Sequence, residues 1–245
     1  MSRDLPRATL GQTTLPSYAH PPLTEVLLAV DVATPLTVNS ERLAEHLGPV
    51  WMRTSSGDSL SYRSVLGDQR LNARPNGLDL VWDGRTGETY PHYETLRDAF
   101  LSAFDAWGHA AGEGDPVPSR WQIAYRNRFP RGTVWHQLDD LRFCRLLTAV
   151  KPTPLSGQLQ GFKHVWEYRL ENPPGLMSCV VTLVPSNTSS DEDDAIWLEL
   201  SCRANCRFNA EGEWLADLDA ARRVIVETFR ESMSPEANAY WGMLG

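Results

Sequence analysis

Residues 120–129, Arg-Trp-Gln-Ile-Ala-Tyr-Arg-Asn-Arg-Phe, alternate between two chemistries. A strand sends successive side chains to opposite faces. Trp121, Ile123, Tyr125, Asn127 and Phe129 therefore share one side, and Arg120, Gln122, Ala124, Arg126 and Arg128 share the other. The first set requires a core. The second gathers three guanidinium groups in a chain of net charge −8, and a guanidinium grips a carboxylate or phosphate through paired hydrogen bonds. Such a face is either an anion site or a ladder of cross-strand ion pairs worth ~0.2–1 kcal/mol each. Glu167 and Glu199 decide between the two: opposite Arg126 and Arg128 they would neutralise them, and elsewhere they would leave them free.

Other chemistry is sparse. His164 alternates with Phe162, Trp166 and Tyr168, which places an imidazole among aromatic rings. Trp197 shares a strand face with Glu199, Ser201 and Arg203. The candidate ligand-binding set is Arg126, Arg128, Tyr125, His164, Trp166 and Trp197. A general base at His164 or His136, with Arg126 or Arg128 holding charge, would make an enzyme for a nucleotide or other phosphorylated substrate. A nucleophile elbow, a phosphate-binding loop, a zinc-protease motif and a dinucleotide fingerprint are all absent from the sequence. Cys144, Cys179, Cys202 and Cys206 have no spacing or matching histidines that would complete a zinc set, so no metal and no cofactor is expected. Asn187-Thr188-Ser189 is a sequon that matters only on a secreted chain, and Ser186 to Asp194 reads as an acidic hairpin tip.

The elements that would position these residues follow from periodicity. Twenty-two residues rich in Pro, Thr and Ser, ending in Pro21-Pro22, read as a loosely held arm. Glu25 to Val32 reads as a strand. Ser40 is the expected cap of a helix ending at Gly48-Pro49, and strands are expected at 51–54, 60–72 and 77–83. A long helix follows, with Pro91 in its first turn and Tyr93, Leu96, Phe100, Phe104 and Trp107 as a core stripe. After the Gly112–Pro118 linker the order begins again. The arginine strand comes first, then a short helical stretch over 135–143, strands at 159–171, 176–184 and 195–208, and a helix from Asp217 to Met233.

This order predicts an α+β fold of duplicated strand-helix-three strands-helix units, with antiparallel sheets and helices packed on one face. The expected divisions are an extended N-terminal arm over 1–22, a first unit over 23–111, a linker over 112–118 and a second unit over 119–245. Apolar content of 42% and charged content of 22% describe a globular chain with a real core. The acidic balance argues against general nucleic-acid binding, which needs surplus Lys and Arg. No apolar run reaches the ~20 residues of a membrane span, and no signal peptide opens the chain, so cytoplasmic localisation without membrane association is expected.

Pro21-Pro22-Leu23-Thr24-Glu25-Val26, Tyr90-Pro91-His92-Tyr93-Glu94, Tyr125-Arg126-Asn127-Arg128, Ala220 to Phe229 and Trp241 together resemble a family of uncharacterised proteins distributed sporadically through bacteria and archaea. Ala124 departs from the bulkier residue, often Arg, that precedes the Tyr in that family. The resemblance implies no established activity or ligand, and a patchy distribution of that kind implies a mobile or defence-related gene context. The expectation from the residues is a non-enzymatic interaction protein recognising a partner protein or an anionic small ligand. The phosphorylated-substrate enzyme and a structural subunit, including a homo-oligomer, are the alternatives.

Overall fold

The computed structural model describes residues 15, 17–55, 59–84, 89–112, 116–147, 161–184, 194–206 and 213–244. Its strands are β1 (Ser17–Tyr18), β2 (Leu23–Val32), β3 (Trp51–Ser55), β4 (Leu60–Ser64), β5 (Gln69–Arg74), β6 (Gly77–Asp83), β7 (Pro118–Pro130), β8 (Phe162–Glu171), β9 (Pro174–Val184), β10 (Ala195–Asn205) and β11 (Met243–Leu244). The helices are α1 (Ser40–Leu47), α2 (Tyr93–Ala111), α3 (Glu213–Ser232) and α4 (Pro235–Tyr240). A nine-stranded antiparallel sheet in the order β3-β4-β5-β6-β2-β7-β10-β9-β8 dominates, giving a mixed α+β fold. Its centre is the β2–β7 pair, where the two halves of the chain meet.

Alternation explains the layering. Val26, Leu28, Val30 and Val32 of β2 are buried, as are Trp121, Ile123, Tyr125 and Phe129 of β7 and Ile196, Leu198, Leu200 and Cys202 of β10. This is the face against which the helices lie. In α2 the stripe of Tyr93, Leu96, Phe100, Phe104 and Trp107 is buried, and in α3 so are Trp214, Leu218, Ala221, Ile225 and Phe229. Trp214 meets Phe100 and Phe104 edge-on at centroid distances of 6.5 and 5.9 Å, which sets α3 beside α2. The described part of α3 already includes Glu213 and Trp214, a turn before the expected Asp217, and Trp214 makes this contact with α2.

Several expectations are corrected. The segment 60–72 is two strands rather than one. The Ser64 hydroxyl donates to Asp68 Oδ1 at 2.8 Å, and Gly67 takes φ 79°, a left-handed conformation that reverses the chain. The first half therefore carries four strands between α1 and α2, against three between β7 and α3, and the exact repeat of the expected units is not reproduced. Asn39, not Ser40, caps α1, its Oδ1 accepting from the Glu41 and Arg42 amides at 3.0 Å. Pro91 precedes α2 instead of lying in its first turn. The stretch 135–143 becomes 3-10 turns over Leu138–Phe143 and Arg145–Leu147.

The end of the supposed loose arm is tied down. Ser17–Tyr18 pairs with Met243–Leu244, and the amides of Ala19 and His20 donate to the carbonyls of Gly242 and Trp241, each at 3.1 Å. Tyr18 stands edge-on to Phe229 at 5.4 Å and donates its hydroxyl to Asn238 Oδ1 at 2.8 Å. The acidic tip over 186–193, the sequon and nearly all of residues 1–16 lie outside the described residues.

Candidate functional site

The helix-facing side of β7 builds the site. Tyr125 projects from β7 toward the segment leading into α2, where its hydroxyl lies 3.2 Å from that of Tyr90. Arg222 of α3 comes from the third side. Its guanidinium sits 5.0 Å over the Tyr93 ring, its Nη1 is 3.4 Å from Glu94 Oε1, and its charge acts on the Tyr125 hydroxyl. Behind this layer the Tyr93 hydroxyl donates to Asp219 Oδ1 at 2.7 Å while Arg97 Nη1 reaches Asp219 Oδ2 at 2.9 Å, locking α2 to α3. Pro21, Pro22 and Tyr18, held by the β1–β11 clasp, supply the remaining wall. The result is a cavity of about 110 Å³ whose apolar lining includes Leu23, Leu200, Ile225, Val226 and Phe229 and whose polar groups are Tyr90, His92, Tyr125, Asn127 and Arg222, with Ser17 and Tyr18 at the clasp.

His92, the residue that caps α2, has φ 67° and ψ 154°. That region of backbone space is essentially reserved for glycine, and a residue held there stores of order 1–3 kcal/mol. Strain of this kind persists only when its surroundings over-determine it, and it clusters at sites where a side chain has to be aimed. The His92 ring lies 5.8 Å from the Tyr90 ring and lines the cavity.

Burial pushes the hydroxyls of Tyr90, Tyr93 and Tyr125 well above the ordinary tyrosine range; the Tyr125 hydroxyl beside Tyr90 and Asp219 beside Tyr93 add to it, whereas Arg222 works the other way at Tyr125. The cavity therefore presents neutral hydroxyls at any physiological pH. Deprotonated tyrosine is not part of its chemistry.

The opposite face of β7 carries the other expected residues. Arg126 and Arg128 lie 4.9 and 5.9 Å over the Trp197 ring. Glu199 is in register with Arg126 across β7–β10, and Glu25 is in register with it across β2–β7. Among the described residues, however, no carboxylate oxygen lies within 4.0 Å of either guanidinium. Glu167 is remote, since β8 is three strands from β7, and it faces Arg203 at 3.8 Å. Arg120 is the strand's paired arginine: its Nε donates to Asp31 Oδ2 at 2.8 Å, in a polar cluster where Arg74 reaches Asp79 at 3.3 Å.

The expected group is thus split by the sheet. Tyr125 faces the helices, whereas Arg126, Arg128 and Trp197 face away. His164 stacks on Trp166 with centroids 5.7 Å apart on β8, in register with buried Val181 and Cys179 and so on the helix side. Three inter-strand spacings of ~4.8 Å separate it laterally from β7, and neither it nor His136, whose carbonyl accepts from Arg131, meets Arg126 or Arg128. Tyr90, His92 and Arg222 were not expected as site residues. The Tyr-Pro-His entry to the helix carries a signal, because Pro91 fixes its own φ and restricts Tyr90 before it, which stiffens the approach to α2. Arg222 carries none, being one of many charges on the partly exposed side of α3.

Among the described residues no group of three or more His, Cys, Asp or Glu side chains could hold a metal ion, and no helix is long and apolar enough to cross a membrane. Neither the models of known protein families nor the curated proteins give a match to this chain.

Proposed function

We propose that the protein is a non-enzymatic recognition protein that binds a small molecule in the cavity between β7, the entry to α2, and α3. The observation that carries this reading is the convergence of Tyr90, His92, Tyr125 and Arg222, drawn from three separate parts of the chain, on one cavity of about 110 Å³. Small-molecule sites are concave and mostly apolar, with a few polar groups that fix orientation. Val226→Trp would fill the space from its half-buried edge. Ligand-observed NMR with a fragment library is expected to give binders to the wild-type chain that Val226→Trp abolishes. The same binders retained by the variant would remove the cavity from consideration.

A second reading rests on the outer face. Arg126 and Arg128, stacked on Trp197 and lacking a carboxylate within 4.0 Å among the described residues, suit an anionic group on a partner protein. Pull-down of a partner lost in the Arg126→Ala, Arg128→Ala double variant tests it. The mirrored strand orders β6-β5-β4 and β10-β9-β8 on either side of the central pair support treating the two halves as variants of one unit.

A further inference from the structure

We infer that the ligand of the Tyr90–Tyr125–Arg222 cavity is a small monoanion, a carboxylate on a compact apolar body; this rests on the cavity being a small-molecule site. The argument is a count of hydrogen-bonding hydrogens. Tyr90 and Tyr125 carry one hydroxyl hydrogen each, and the contact at 3.2 Å between their oxygens consumes one of the two. Whichever tyrosine donates, the other hydroxyl hydrogen remains, and no carboxylate or carbonyl takes it among the described contacts of either residue. Arg222 pairs with Glu94 at 3.4 Å, and its Nε is buried without a partner. Asn127 spends one amide hydrogen on the Leu198 carbonyl at 3.3 Å and has a second. Against these hydrogens the same lining offers Asn127 Oδ1 and one His92 ring nitrogen as acceptors, so donors remain in excess, one of them cationic.

A ligand that completes this end brings acceptors and negative charge. An ammonium or a hydroxyl-rich molecule would leave the donors unpaired. Glu94 does not block the site. Its side chain is 59% exposed and its 3.4 Å contact to Arg222 is a solvent-screened pair, which an incoming carboxylate can replace as Glu94 turns to water. Size limits the rest of the molecule. An apolar cavity of ~150 Å³ accommodates benzene, so about 110 Å³ lined by Leu23, Ile225 and Phe229 limits the apolar body to no more than one ring or a short branched chain.

The experiment uses three probes of one shape, benzoate, toluene and benzylamine, titrated into the full chain and followed by ligand-observed NMR. Benzoate is expected to bind most tightly. Arg222→Met, which keeps the bulk but removes the donors, is expected to weaken benzoate by roughly tenfold or more, equivalent to the loss of one good charged contact, while leaving toluene within about twofold. Unchanged toluene binding certifies an intact cavity. Equal or tighter binding of toluene or benzylamine, or benzoate affinity insensitive to Arg222→Met, overturns the monoanion assignment while leaving the cavity as a small-molecule site. Benzoate affinity lost on Arg126→Met or Arg128→Met instead moves the anion to the outer face and likewise overturns it. Failure of all three probes to bind at millimolar concentration overturns both this inference and the cavity reading beneath it.

Discussion

The backbone of His92 opposes its own residue type, with φ 67° and ψ 154° where only glycine is at ease. His92→Gly removes the strain, of order 1–3 kcal/mol, and gives back roughly 0.5–1 kcal/mol through the greater freedom of glycine in the unfolded chain. The variant is therefore expected to be more stable than the wild type by roughly 1 kcal/mol in urea unfolding, whereas His92→Val, with its branch at Cβ, is expected to be less stable. A glycine variant less stable than the wild type would mean that the ring contact with Tyr90 outweighs the strain. At this scale the sequence was legible where period alone decides. The two faces of 120–129 follow from alternation, and Trp121, Ile123, Tyr125 and Phe129 are buried as that pattern requires. The fate of Arg126 and Arg128 was not legible. Which carboxylate stands opposite them depends on strand order, and Glu167 sits three strands away for reasons that no local pattern of residues 160–170 contains.

Asp219 joins two elements, and its value follows from what each partner would lose. It accepts from the Tyr93 hydroxyl at 2.7 Å and pairs with Arg97 at 2.9 Å, binding the first turns of α2 to α3. Tyr93→Phe deletes one neutral hydrogen bond and leaves Asp219 satisfied by Arg97, a change of about 1 kcal/mol. Asp219→Ala leaves the buried Tyr93 hydroxyl with no acceptor, which costs about 1–3 kcal/mol; the Arg97 pair, part-exposed on both sides, adds little. The alanine variant is expected to be the less stable of the two by about 1 kcal/mol, a difference that paired urea titrations resolve, and equal destabilisation would refute the ranking. The long helices were legible because their apolar stripes, aromatic in α2 and mainly aliphatic in α3, recur at helical spacing over four turns or more. The split of 60–72 was not, since a turn needs only Gly67 at positive φ and a hydrogen bond from Ser64 to Asp68, both invisible to a count of apolar residues. Likewise, the pairing of Ser17–Tyr18 with Met243–Leu244 joins residues more than 200 apart, and only the completed chain brings them together.

For the molecule as a whole, one sheet buries many groups that ionise only in alkali, and their sum sets a pH limit on the fold. Burial raises the thiol of Cys144 to about 12, of Cys202 to about 12 and of Cys179 to about 11. Tyr18 is raised to about 12, and Tyr90, Tyr93 and Tyr125 are raised further by the same desolvation. In the unfolded chain these cysteines and tyrosines titrate near ~8.5 and ~10. Between the unfolded and folded values the native state holds protons that the unfolded state has released, so stability falls as pH rises. Each fully buried group contributes up to about 1.4 kcal/mol per pH unit in its window. These groups therefore leave stability unaffected below about pH 8. Above it urea midpoints are expected to decline, first with the slope of the thiols and more steeply past about pH 10 as the tyrosines join. In a Tyr168→Phe, Tyr240→Phe background, which removes the two exposed phenols, tyrosinate absorbance should then appear together with loss of the helical circular-dichroism signal and not before it. Tyrosinate forming in that variant while it is still folded would show that water reaches its buried tyrosines, the Tyr90–Tyr125 pair among them, and with it would go the neutral, donor-rich cavity on which the proposed recognition of an anion depends.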